Sequence, residues 1–166
     1  MHGILKRLLR RFLGHTRAAS PDKVDFSAFE EQIDFYRKRG TNIGEKVRLL
    51  GRIDGVNPHL VSIGNYSVIG ADSALLAHCP IRGALPCSIG KYVYISYGAI
   101  ILPGVTIGDH SLIGAGAVVT EDVSEGSVVV GNPGRVLRTL TQVEREKIER
   151  TMLEGRLFGW DENPIA

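Results

Sequence analysis

The sequence predicts an all-β chain wound as a parallel β-helix with helices at its ends, and three observations predict it. Aliphatic residues recur every six positions at Ile89, Ile95, Ile101, Ile107, Ile113 and Val119, a period that fits neither a helix (about 3.6) nor a half-buried strand (about 2). The fifth position of each hexad is small or β-branched, as at Val93, Ala99, Val105, Ser111 and Ala117. The second is often glycine, at Gly64, Gly70, Gly90, Gly108 and Gly114, where a side chain would crowd a turn. Hexads of this kind build coils in which three short strands and three turns close a triangle, and position one stacks on the residue about 18 positions later.

Taken in chain order, "MHGILKRLLRRFLGH" comes first. At about 100° per residue Ile4, Leu5, Leu8, Leu9, Phe12 and Leu13 share one half of a helical wheel and Lys6, Arg7, Arg10 and Arg11 the other. Residues 4–13 are therefore expected to form an amphipathic helix, too interrupted for a signal core or a membrane span. Its basic face suits peripheral contact with an anionic membrane, and docking on the protein's own oligomer or fraying in solution suits the pattern equally. A second helix is expected from Ser27, with Glu30 completing a capping box, through Phe29, Ile33 and Tyr36 to Gly40.

Ile43 and Leu49 begin a coil in another phase, interrupted near Gly55. The regular frame then runs through Ile63, Ile69, Leu75 and Ile81, with Ser67, Ser73 and Cys79 at position five. A two-residue insertion before Ile89 shifts the phase once and puts Cys87 in an inserted loop. In this frame His78 occupies position four and stacks over Gly98 and Gly116, so an imidazole tops a strip without side chains, a groove that an extended amide-containing ligand could follow. The C-terminal "TQVEREKIERTMLEG" carries a second capping box at Thr141 and Glu144 and ends at Gly155. Both helices read as caps on the open ends of the prism. The domain organisation is thus 1–42 for the N-terminal helices, 43–138 for the β-helix and 139–166 for the C-terminal helix and tail.

Residues 1–17 hold five of the 20 Lys and Arg and no acid, which leaves 15 basic against 18 acidic groups in the rest. That balance argues against nucleic acid as a partner of the body. Two cysteines make no disulfide framework and suit a reducing, cytoplasmic setting, peripheral to the inner membrane face if residues 4–13 bind lipid. A zinc site would need ligands at metal spacing. His59, His78 and His110 offer no His-x4-His pair, so a β-helical carbonic anhydrase and a metal are not expected.

The run "ILPGVTIGDHSLIGAGAVVTEDV" followed by "GNPGRVLR" resembles the terminal coils of the hexapeptide-repeat acyltransferases, left-handed β-helix trimers, in the branch of maltose, galactoside, xenobiotic and capsular-polysaccharide O-acetyltransferases. The likeness covers residues 43–138. It implies a left-handed β-helix, a homotrimer, and acetyl-CoA as co-substrate. His78 in "LLAHCP" matches the family's catalytic base; Tyr97, Ala115 and Thr120 match its contacts to the pantetheine arm, with Gly98 and Gly116 in the groove beneath. Arg135 and Arg138 match its phosphate-binding arginines. Glu121 stands where many members carry Lys.

The residues agree with that role. An imidazole ordinarily titrates near pH 6.5, roughly, and can take a proton from an acceptor hydroxyl at neutral pH. His110 reads as structural, and Cys87 as a loop thiol rather than a nucleophile. The expected function is transfer of acetyl from acetyl-CoA to a hydroxyl of a sugar or polysaccharide precursor. The alternative is a non-catalytic β-helix, a scaffold or membrane-surface assembly module, which would not be stabilised by CoA.

Overall fold

A computed structural model describes residues 26–154; the helix expected at 4–13, and Gly155, lie outside them. The hexads wind as expected into a left-handed parallel β-helix. Helix α1 (Ser27–Arg37) leads into strands β1 (Asn42–Ile43), β2 (Arg48–Leu49) and β3 (Arg52–Ile53) of a first coil, closed by a 3-10 turn at Pro58–Leu60. The next coil has β4 (Val61–Ile63), β5 (Val68–Ile69) and β6 (Ala74–Leu75), then a two-stranded hairpin of β7 (His78–Cys79) and β8 (Gly83–Ala84). Strands β9 (Cys87–Ile89), β10 (Tyr94–Ile95) and β11 (Ile100–Ile101) follow, then β12 (Thr106–Ile107), β13 (Leu112–Ile113) and β14 (Val118–Val119). An antiparallel pair, β15 (Ser127–Val130) and β16 (Arg135–Thr139), precedes helix α2 (Gln142–Leu153).

The strands collect into three faces. The first is β1-β4-β9-β12, the second β2-β5-β10-β13-β15-β16 and the third β3-β6-β11-β14. Register puts position one over position one: Ile43, Ile63, Ile89 and Ile107 form one stack, Leu49, Ile69, Ile95, Ile113 and Val129 a second, and Ile53, Leu75, Ile101 and Val119 the third. All are buried. At about 1.5–3 kcal/mol for each fully buried aliphatic side chain, these stacks are the main stabilising term. The position-five serines are buried but satisfied: Ser73 Oγ donates to the Gly70 carbonyl at 2.6 Å, and Ser67 Oγ to that of Gly90 at 2.8 Å.

Glycine does two different jobs here. At position two it lets coils approach, since a Cβ on Gly64 would lie 2.6 Å from the Gly90 carbonyl carbon and oxygen. At position four it meets nothing: Gly98 and Gly116 have φ +66 and open space around the missing side chain. Asp72 takes the same corner conformation at φ 56, so the corner does not demand glycine. Gly64→Ala should therefore cost about 2–3 kcal/mol by overpacking backbone, and Gly98→Ala only about 1 kcal/mol from left-handed strain. Urea denaturation of the two variants compares them, and equal losses would contradict the division of roles.

Several expectations need correction. The insertion is eight residues, not two, because Ile63, Ile69 and Leu75 pair with Ile89, Ile95 and Ile101. Ile81 is 93% exposed at the hairpin tip instead of in the core. The cysteines exchange places, with Cys79 on the hairpin and Cys87 wholly buried at a position-five slot. Helix α1 begins after Phe26, which makes no side-chain cap, so Ser27 and Glu30 form no capping box. The Thr141–Glu144 box is present.

Helix α1 buries Ile33 against the first coil, where Gln32 Nε2 donates to the Gly51 carbonyl and Tyr36 Oη to that of Ile53. Helix α2 does not cap an end. Its Ile148 and Met152 pack with Val68, Leu140 and the half-buried Tyr66, Tyr92, Tyr94, Leu112 and Val128, along the outer side of the second face. That face is apolar outward as well as inward, which gives the helix its partner. His110 is structural there: it stacks on Tyr92, itself stacked on Tyr66, and pairs through Nε2 with Glu149 of α2 at 2.6 Å. Among the described residues no helix is long and apolar enough to cross a membrane.

Candidate active site

Strand β3 ends at Ile53, and the chain turns through Asp54. Its carboxylate folds back on the turn, Oδ1 accepting from the backbone N–H of Val56 at 2.8 Å and Asn57 at 2.9 Å. Oδ2 reaches the root of the hairpin, accepting from Ala77 N–H at 2.8 Å and from His78 Nδ1 at 2.6 Å. The Asp54 side chain is fully buried and that of His78 is 45% exposed. Burial alone would raise the carboxyl pKa, but hydrogen bonds from Asn57, Ala77, His78 and Val56 outweigh it and hold Asp54 down at about 2. It is a carboxylate at any working pH.

An ionised carboxylate can only accept, so the proton between the pair sits on His78 Nδ1. In the neutral imidazole the other ring nitrogen, Nε2, then carries the lone pair, on a side chain open to solvent. This is the arrangement of an oriented general base. His78 sits at the root of a hairpin: β7 pairs antiparallel with β8 (His78 with Ala84, Cys79 with Gly83) outside the three faces.

The hairpin also separates His78 from the predicted groove. Gly98 N–H bonds to the Ala71 carbonyl and Gly116 N–H to that of Tyr97, so these glycines continue the corner at Asp72 between the second and third faces. His78 belongs to the next corner, between the third and first faces, where Gly104 pairs with Pro86. The expectation that His78 stacks over Gly98 and Gly116 is therefore wrong within one chain. Counting two inserted residues for eight moves the alignment by one hexad, hence by one corner of the triangle.

Tyr97, Ala115, Thr120, Arg135 and Arg138 are exposed. The hydrogen bond between Tyr97 and Asp72, and then the charge of that carboxylate, raise the phenol pKa. Arg135 donates to its own neighbour's carbonyl, Gly134 O, at 2.9 Å and lines a small pocket with Val119, Glu121 and Asp122. Arg138 is engaged bidentately by Glu144, at 2.9 and 2.7 Å. Cys87 is no nucleophile, since burial and the nearby charge of Asp54 push its thiol up to about 12. Among the described residues no cluster of three His, Cys, Asp or Glu side chains could hold a metal.

Residues 86–121 match the family model described as bacterial transferase hexapeptide (six repeats). Residues 86–121 thus carry the repeats of the hexapeptide-repeat transferase family. This hexapeptide-repeat protein is 34% identical to the galactoside O-acetyltransferase of Escherichia coli (strain K12) over 129 residues, 68% of this chain and 60% of the relative. It is 37% identical over 81 residues to the 2,3,4,5-tetrahydropyridine-2,6-dicarboxylate N-acetyltransferase of Staphylococcus aureus (strain JH9), 49% of this chain and 34% of the relative. The hexapeptide-repeat protein thus spans about a third to three fifths of these relatives' length. Among solved structures, a hexapeptide-repeat-containing acetyltransferase of Vibrio cholerae O1 biovar eltor, complexed with acetyl coenzyme A, superposes with a TM-score of 0.55. The identity is 24%, over 68% of this chain and 78% of that one, a likeness of fold.

Proposed function

We propose that this protein is an acetyltransferase that moves the acetyl group of acetyl-CoA to a hydroxyl of a sugar or polysaccharide precursor, with His78 as general base. The observation that carries the proposal is the 2.6 Å contact between Nδ1 of the half-exposed His78 ring and the buried Asp54 carboxylate, which in the neutral imidazole leaves the lone pair on Nε2. The names of the relatives supply the reaction class, and the galactoside enzyme favours a sugar hydroxyl over an amine.

Nε2 takes the proton of the acceptor hydroxyl as its oxygen adds to the thioester carbonyl. Collapse of the tetrahedral intermediate breaks the C–S bond, and the imidazolium returns the proton to the departing thiolate. Asp54 stabilises the imidazolium in between without changing its own protonation.

The open strip at Gly98 and Gly116, edged by Tyr97 and Ala115, fits an extended pantetheine arm, with exposed Thr120 beyond the far edge of the third face, and exposed Arg135 fits a phosphate. Since this strip and His78 lie on different corners of one prism, the reading requires a neighbouring copy to bring them together. A cyclic trimer meets that need, with the corner of one subunit facing the hairpin of the next.

The test is release of CoA thiol from acetyl-CoA against a panel of sugar and amine acceptors, with the molecular mass measured by sedimentation. Release with no acceptor in the panel, or a monomer at full activity, would contradict the reading. In the same assay Arg135→Ala should raise KM for acetyl-CoA about tenfold, the effect of losing one charged hydrogen bond. Its melting temperature should not move, because its hydrogen bond is to the adjacent Gly134 carbonyl.

A further inference from the structure

We propose that Glu144 sets the affinity and phosphate selectivity of Arg138, by filling with a carboxylate the guanidinium fork that a ligand phosphate would otherwise take. This rests on the acetyl-CoA reading above and adds to it a residue from outside the β-helix. The geometry is bidentate: Arg138 Nη1 donates to Glu144 Oε2 at 2.9 Å and Nη2 to Oε1 at 2.7 Å. A guanidinium presents the same planar fork to a carboxylate and to a phosphate, so the two compete for one set of donors.

Glu144 is held in place rather than met by chance. Its Oε2 also accepts from Thr141 N–H at 2.8 Å and from Thr141 Oγ1 at 3.0 Å, the reciprocal half of the capping box that starts α2. The helix is itself fastened to the prism by Arg145 to Glu125 at 2.7 Å, by His110 to Glu149 at 2.6 Å, and by buried Ile148 and Met152. Its docking on the second face therefore delivers a fixed carboxylate to β16. Hydrogen bonds from Arg138 and from Thr141 hold the Glu144 carboxyl at about 2, so the competitor is always charged.

Both partners are partly exposed, Arg138 at 50% and Glu144 at 37%. An exposed pair is weak enough for a more highly charged phosphate to displace. The result is a graded site: a ligand reaching Arg138 must first release Glu144, and a ligand lacking that phosphate leaves the pair closed.

Isothermal titration of the full chain with CoA and with dephospho-CoA tests this, on the wild type, Glu144→Gln and Glu144→Gln combined with Arg138→Gln. Gln retains the carbonyl that a capping box uses, so α2 keeps its N-terminus while the competing charge is removed. Glu144→Gln should bind CoA about two- to fivefold more tightly, the range for an exposed ion pair. Its affinity for dephospho-CoA should be unchanged, and the gain should vanish in the double variant. An unchanged CoA affinity in Glu144→Gln overturns the inference alone, as does an equal gain for dephospho-CoA. Failure of the wild type to bind CoA overturns the acetyl-CoA reading, and the inference falls with it.

Discussion

His78→Ala should lower turnover by about 10²–10⁴-fold, the contribution of a positioned acid–base group, with CoA affinity and melting temperature near those of the wild type. Loss of stability is not expected, for two reasons. The imidazole is 45% exposed, so little apolar area is lost. Asp54, the group it leaves behind, is still satisfied by the N–H groups of Val56, Asn57 and Ala77. A buried carboxylate with three remaining donors is not an orphaned charge. Steady-state kinetics on the purified variant, with CoA titration beside them, measure turnover and affinity. Full turnover in folded His78→Ala would show that another group takes the acceptor proton.

The coils were legible because their period is written in single residues. Every aliphatic residue from Ile89 to Val119 on the six-residue spacing is a core residue in the structure, and the register that follows stacks the three columns. The hairpin was not legible, because it imitates the period it interrupts. Ile81 follows Leu75 by six, with Cys79 two before it, yet the true next rung is Ile89 with Cys87 two before it. Only pairing between coils separates the two readings, and pairing is a non-local property.

Asp54 was missed as a partner of His78 for the same reason. Asp54-Gly-Val-Asn-Pro has the residues of an Asx turn, and its Oδ1 makes that turn, but what Oδ2 reaches lies 24 positions away and is brought near only by the pairing of Ile53 with Leu75. The side-on docking of α2 was partly readable, since Val68, Tyr94, Leu112 and Val128 are apolar at positions that face outward. A face apolar on both sides must be covered.

Asp54→Asn should lower turnover by about two orders of magnitude or more, the loss seen when the carboxylate of a carboxylate–imidazole pair becomes an amide, and it should also destabilise the fold. In the wild type, Oδ2 accepts from both Ala77 N–H and His78 Nδ1. An amide nitrogen placed there meets Ala77 donor to donor, and a flipped amide moves the clash to Val56 and Asn57. In the first case the buried Ala77 N–H loses its acceptor, at about 1–3 kcal/mol; in the second the loss falls on the more exposed Val56 and Asn57 and is smaller. On the His78 side, an amide NH₂ favours the lone pair on Nδ1 and the proton on Nε2, the nitrogen that must receive the acceptor proton. The effect should therefore fall on kcat, with KM for acetyl-CoA nearly unchanged, a split that loosening of the fold alone would not produce. Acid unfolding gives an independent readout. The Asp54 carboxyl is held at about 2 in the fold, below the roughly 3.9 of an unfolded chain. Its contribution to stability is therefore complete above about pH 4 and is lost as pH falls through about 2. The amide of the variant cannot titrate, so the gap in stability between wild type and variant should be widest at neutral pH and narrow between about pH 4 and 2. A gap that stays constant across that range, or a kcat equal to that of the wild type, would remove Asp54 from its place behind His78.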